Sequence, residues 1–134
     1  MAEFESKKVK LKEQQAVVAE FLSDFRNFSE LMPENVKDWE ADQDSCSFTA
    51  DGAGQVKLKY TERTNEYIEI QPDMAIPVSG EIKLFVKIRD LGADSEATVG
   101  VEATIPPMFR MMLKRPLQNL LEMLATALEK YYNG

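Results

Sequence analysis

With 134 residues, 44% of them hydrophobic, the chain is long enough for a single domain over residues 1–134. A domain of that size buries roughly two-thirds of its unfolded surface without disulfide or metal staples. Sixteen Lys and Arg against 23 Asp and Glu leave a net charge of −7, which repels phosphate backbones and anionic lipid headgroups, so no nucleic acid is expected as a partner. A lone cysteine, Cys46, and the absence of histidine exclude an internal disulfide and the common zinc ligand sets; no cofactor or metal is expected.

The chain opens Met1-Ala2-Glu3 without a basic, apolar signal segment, and no stretch approaches the roughly 18 apolar residues that cross a bilayer. The expectation is a cytoplasmic protein with no stable membrane insertion. Phe4 to Leu11 reads as a strand, with Val9 and Leu11 on one face and lysines on the other. Lys7, Lys8, Lys10 and Lys12 make this a basic run, read here as a solvated face. A helix follows over Gln14 to Ser23, where Val17, Val18, Phe21, Leu22 and Phe25 recur at three- and four-residue spacings. A second short helix, Phe28 to Met32, ends before Pro33, whose ring disfavours helical geometry in the preceding residue.

From Val36 to Ile105 the dominant period is two. Trp39 and Ala41 share a face, as do Cys46, Phe48 and Ala50, and Asp51-Gly52 is a turn signal. Val56, Leu58 and Tyr60 alternate with Lys57, Lys59 and Thr61; a turn at Thr64-Asn65 leads to Tyr67–Gln71. After a loop around Pro72 and Pro77, in which Met74 and Ile76 could pin the loop to the sheet or line a cavity mouth, Ile82, Leu84, Val86 and Ile88 alternate with polar residues except Phe85. Gly92 lies in the next turn, and Ala97, Val99, Val101, Ala103 and Ile105 share a face of the last strand. Apolar-in, polar-out alternation argues for antiparallel pairing.

The final helix, about Pro107 to Tyr132, has two unlike halves separated by Pro116. Leu117, Leu120, Leu121, Leu124, Leu128 and Tyr131 form one stripe that should anchor on the sheet. Met108, Phe109, Met111, Met112 and Leu113 surround the axis, so they either fill core gaps or form an adaptable rim over a cavity, with a kink at Pro116. The element order therefore predicts an α+β fold: a curved antiparallel sheet wrapped around a long C-terminal helix, with two short helices after the first strand.

This order, and the segment Asp24-Phe25-Arg26-Asn27-Phe28-Ser29-Glu30-Leu31-Met32-Pro33, resemble the START-like, or SRPBCC, superfamily with its helix-grip fold, nearest to the coenzyme-Q-binding and polyketide-cyclase-like branch. In that branch tyrosine is more usual where Phe28 stands, and proline is common where Ser29 stands. The resemblance implies a deep apolar cavity between sheet and long helix, of the kind used for lipids, isoprenoid quinones, hormones or polyketides.

Non-catalytic binding of an apolar or amphipathic small molecule is the function expected from these patterns. The candidate ligand-binding residues are Trp39, Phe48, Leu58, Tyr60, Glu62, Ile82, Leu84, Val99 and Val101 on the strands, and Met108, Met111 and Met112 on the helix. A cyclase or dehydratase is the enzymatic alternative. It needs a positioned acid and base, for which Glu62 and Tyr60 are the candidates, placed by alternation on one inner face with Arg63 beside them and Glu66 across the turn. Cys46 lacks a histidine to activate it and reads as a small buried residue. A third possibility is an interaction module or homodimer built on the methionine-rich half-helix.

Overall fold

The computed structural model describes residues 2–32, 36–50, 54–73, 82–104 and 106–134. The Asp51-Gly52 turn, Met74, Ile76, Pro77 and Ile105 lie outside the described residues, as do the side chains of Phe109, Leu113 and Pro116. Among the described residues, an eight-stranded sheet runs in the order β1-β8-β7-β6-β5-β4-β3, with β2 also paired to β8. Its strands are β1 (Ala2–Glu5), β2 (Val9–Leu11), β3 (Val36–Ala41), β4 (Ser45–Ala50), β5 (Gly54–Arg63), β6 (Tyr67–Pro72), β7 (Ile82–Leu91) and β8 (Asp94–Ala103), all antiparallel to their neighbours. Helix α1 (Gln15–Leu22), a 3₁₀ helix (Phe25–Glu30) and the long α2 (Pro107–Asn133) complete the chain.

The expected first strand is two strands, and the reason lies in side-chain parity. Phe4 is even-numbered whereas Val9 and Leu11 are odd, yet all three are buried. One regular strand would turn Phe4 away from the core, because a one-residue slip exchanges the two faces. The pairing therefore changes register: Glu5 lies opposite Gly100 but Val9 opposite Ala97, so three residues, Ser6 to Lys8, face two. The Ser6 amide donates to the Val99 carbonyl (2.8 Å), and its hydroxyl oxygen accepts from the Val99 amide (3.0 Å), which keeps the buried ladder satisfied across the irregularity.

Helix α1 buries Val18, Ala19 and Leu22 while Val17 of the expected stripe faces solvent. The second helix begins three residues earlier than expected. Asp24 caps it, its carboxylate accepting from the Arg26 amide (3.0 Å), so the tight turn starts at Phe25 and drives that ring fully into the core.

Helix α2 packs over β1, β2 and β8. Its most deeply buried side chains are Leu121, Ala125 and Leu128, whereas Leu117, Leu120 and Leu124 are half-buried and Tyr131 is exposed. The helix also satisfies the free edge of the sheet. Glu122 Oε1 accepts from the Lys7 amide (2.7 Å), Gln118 Nε2 donates to the Glu5 carbonyl (2.6 Å), and the Asn133 side chain accepts from the Lys12 amide (2.8 Å) and donates to the Lys10 carbonyl (2.7 Å). Backbone groups that would otherwise invite another strand are thereby occupied.

Candidate functional site

Because α2 lies towards the β1, β2 and β8 side of the sheet, the rest of the inner face, from β3 to β7, is covered by smaller pieces. A cavity of about 210 Å³ remains there. The 3₁₀ helix and the residues after it supply Phe25, Phe28 and Met32; β3 and β4 supply Trp39 and Phe48; α2 closes the wall with Leu120 and Leu124. Leu58, Ile70, Leu84, Val86 and Val99 come from the central strands. The Trp39 and Phe48 rings stack at 5.8 Å, and Phe25 meets Phe28 at 5.3 Å, so two aromatic pairs from separate elements bound the space. No side chain lining it is ionisable.

Five of the residues singled out in the sequence, Trp39, Phe48, Leu58, Leu84 and Val99, lie around this space. Val101 is buried in the core, and Ile82 is half-buried against it, both away from the cavity wall. Phe25, Phe28, Leu120 and Leu124 also line it, without having been singled out. The Phe25–Phe28 spacing of three residues after a capping aspartate was the available signal, since a 3₁₀ turn puts such residues on one side.

Glu62 departs from the expected inner face. Tyr60 pairs with Ile70, but Glu62 pairs with Glu69 and Arg63 with Ile68, so the register shifts between Tyr60 and Glu62. The extra residue reverses the alternation: Ile68 and Ile70 are buried, Glu62 is exposed, and Arg63 takes the place that Glu62 would have held. The Arg63 guanidinium lies over the Tyr60 ring, 4.6 Å from its centroid, donates to the Ser23 carbonyl (3.1 Å) and pairs with Asp44 (3.0 Å).

Tyr60 is likewise committed to structure. Its ring stacks at 4.1 Å on Phe25, which lines the cavity where Tyr60 does not, and its hydroxyl donates to the Leu22 carbonyl at the end of α1. Burial pushes the phenol well above its ordinary range, so it stays protonated. The Cys46 thiol is pushed up to about 12, again by burial, and is not a thiolate near neutral pH. The described cavity thus offers apolar walls and no acid–base pair.

Met108, Met111 and Met112 neither fill core gaps nor line the cavity: they are 77%, 88% and 66% exposed. The helix continues without interruption from Pro107 to Asn133. Among the described residues no cluster of His, Cys, Asp or Glu could hold a metal ion, and no helix is long and apolar enough to cross a membrane.

No protein-family model matches the sequence. None of the curated proteins matches it either. Solved structures do match in shape over nearly the whole chain. A START superfamily protein from Mycobacterium smegmatis aligns with a TM-score of 0.75 at 17% identity, covering 98% of this chain and 97% of that one. The fold is the START-like helix grip. Norcoclaurine synthase from Thalictrum flavum shares this helix grip with a TM-score of 0.76 at 14% identity, over 97% of this chain and 92% of its own. The di-domain ARO/CYC protein BexL from the BE-7585A biosynthetic pathway aligns at 0.75 and 13% identity, over 97% of this chain but 46% of its own. At such identities the likeness carries the helix-grip fold and not an activity.

Proposed function

We propose that this helix-grip domain binds one small apolar, ring-bearing molecule between its sheet and α2, without catalysing a reaction on it. The observation that carries this reading is the aromatic and aliphatic cavity itself, free of ionisable side chains. Its volume of about 210 Å³ exceeds the roughly 150 Å³ cavity that holds benzene in another protein, but falls short of the roughly 300 Å³ at which drug-sized sites begin. One or two fused rings fit the space as it stands; a lipid, a polyketide or the tail of an isoprenoid quinone would need further opening. The same reading takes residues 1–134 as a single domain acting in the cytoplasm, where the buried Cys46 thiol remains reduced.

Trp39 is the protein's one tryptophan and stands in the cavity wall, so its fluorescence reports occupancy directly. Titration with naphthalene-sized aromatics and with a short-chain quinone should give a saturable change in emission. Leu124→Phe, which grows a ring into the space, should weaken that binding at least about tenfold while the protein stays folded. Absence of a saturable response, together with native mass spectra showing no co-purifying small molecule, would reject the proposal.

A further inference from the structure

The exposed half of α2 combines two features that the cavity does not use. Met108, Met111, Met112 and Arg115 fall at offsets of zero, three, four and seven and so share one helix face; Lys114 flanks that face and Arg110 lies towards the opposite side. All six side chains are exposed. The sequence from 103 to 121 contains these three cations and no carboxylate, in a chain whose net charge is −7. None of the ion pairs among the described residues involves Arg110, Lys114 or Arg115. A basic, thioether-rich end therefore projects from an otherwise acidic molecule.

We propose that residues 107–115 form a peripheral docking site for an anionic lipid surface. Half-helices with apolar side chains on one face and Lys or Arg around it lie in the headgroup region, the apolar atoms reaching roughly 5–10 Å into the acyl boundary while the cations meet lipid phosphates. The segment is about 13 Å long, too short to span a bilayer but sufficient to lie on one. Remote carboxylates oppose the approach only weakly, because charges are screened over about 8 Å at physiological salt. Charge also argues against a second copy. A two-fold contact through this patch would set the three cations against their own copies. Docking does not rest on the cavity being a ligand site, and the test uses no cavity ligand.

The measurement is co-sedimentation of the full chain with vesicles of phosphatidylcholine alone and of phosphatidylcholine containing about one-third phosphatidylserine, at low and physiological salt. Binding should favour the anionic vesicles by at least about tenfold and weaken as salt rises, each cation contributing roughly fivefold. Arg110→Gln/Lys114→Gln/Arg115→Gln should remove most of that preference. Met111→Glu/Met112→Glu should abolish binding, with thermal unfolding unchanged because these side chains are exposed. Equal binding to both vesicles, no binding at low salt, or a triple variant that binds like the parent would each overturn the proposal. So would analytical ultracentrifugation showing an oligomer that Met111→Glu/Met112→Glu converts to monomer without any vesicle binding, which would assign the patch to a protein contact.

Discussion

Glu62, Tyr60 and Arg63 show how one backbone irregularity redistributes chemistry. Strict alternation would have put a carboxylate beside the tyrosine on the inner face; the bulge puts a guanidinium there and sends Glu62 to solvent. Glu62→Gln should therefore leave both ligand binding and stability unchanged within about 0.5 kcal/mol. Tyr60→Phe, which orphans the Leu22 carbonyl at the end of α1, should cost about 1 kcal/mol in urea unfolding. If Glu62→Gln instead loses about 100-fold in turnover of some substrate while still binding it, the carboxylate is a general base and the non-catalytic reading fails. Gly100 is a second case on the opposite face. Phe85, half of a 6.1 Å stack with Tyr67, lies across it, and a Cβ at Gly100 would sit 2.1 Å from the ring carbon Cζ. Gly100→Ala should thus destabilise by about 1–3 kcal/mol. Adding Phe85→Leu should recover part of that loss if the ring is the cause.

Among the elements, α2 carries the clearest energetic contrast. Leu121 is fully buried, whereas Leu124, on the same stripe, borders the cavity and is half-buried. Leu121→Ala should cost about 2–5 kcal/mol through lost burial and the void left behind. Leu124→Ala should cost less, because its side chain already lacks neighbours on the cavity side. Equal losses in urea unfolding would mean that the cavity is closed by side chains in solution. The leucine periodicity was enough to place this helix on the sheet. It did not separate the two leucines, since depth depends on which strands lie beneath each turn. The methionines illustrate the same limit: their spacing identified an unusual face, but exposure depended on where the sheet ends.

The charge and ionisation of the whole molecule set its pH response. Burial raises the Cys46 thiol from 9.0 to about 12 and the Tyr132 phenol from 10.0 to about 12. The Tyr67 phenol, also partly desolvated and hydrogen-bonded to Glu69, rises to about 12 as well. Between the unfolded and folded values the unfolded chain has lost protons that the folded chain retains, so stability must fall as pH rises. The contribution is complete below about pH 9 and is lost progressively towards pH 12. Chemical denaturation midpoints should accordingly hold steady up to pH 9 and then decline, and Cys46→Ala should make the early part of the decline shallower. On the acid side the Arg26 hydrogen bond lowers Asp24, and backbone amides of Asp44 and Ser45 lower Asp42. Both groups favour the fold above the ordinary carboxylate range and lose that contribution as pH falls below it and through their own lowered values.

Periodicity and turn chemistry alone determined the α+β class, the antiparallel sheet, the long C-terminal helix and most of the cavity-facing strand positions, because side-chain alternation and helical spacing are local properties of the chain. Register is not local. The split between β1 and β2, the bulge in β5 and the early start of the 3₁₀ helix each depend on a partner distant in sequence or on a single cap. Those shifts decided that Arg63 replaces Glu62 and that Phe25 and Phe28 wall the cavity with Trp39 and Phe48. The tertiary structure alone could settle them, since a one-residue change in pairing turns a side chain to the opposite face while leaving the sequence pattern intact.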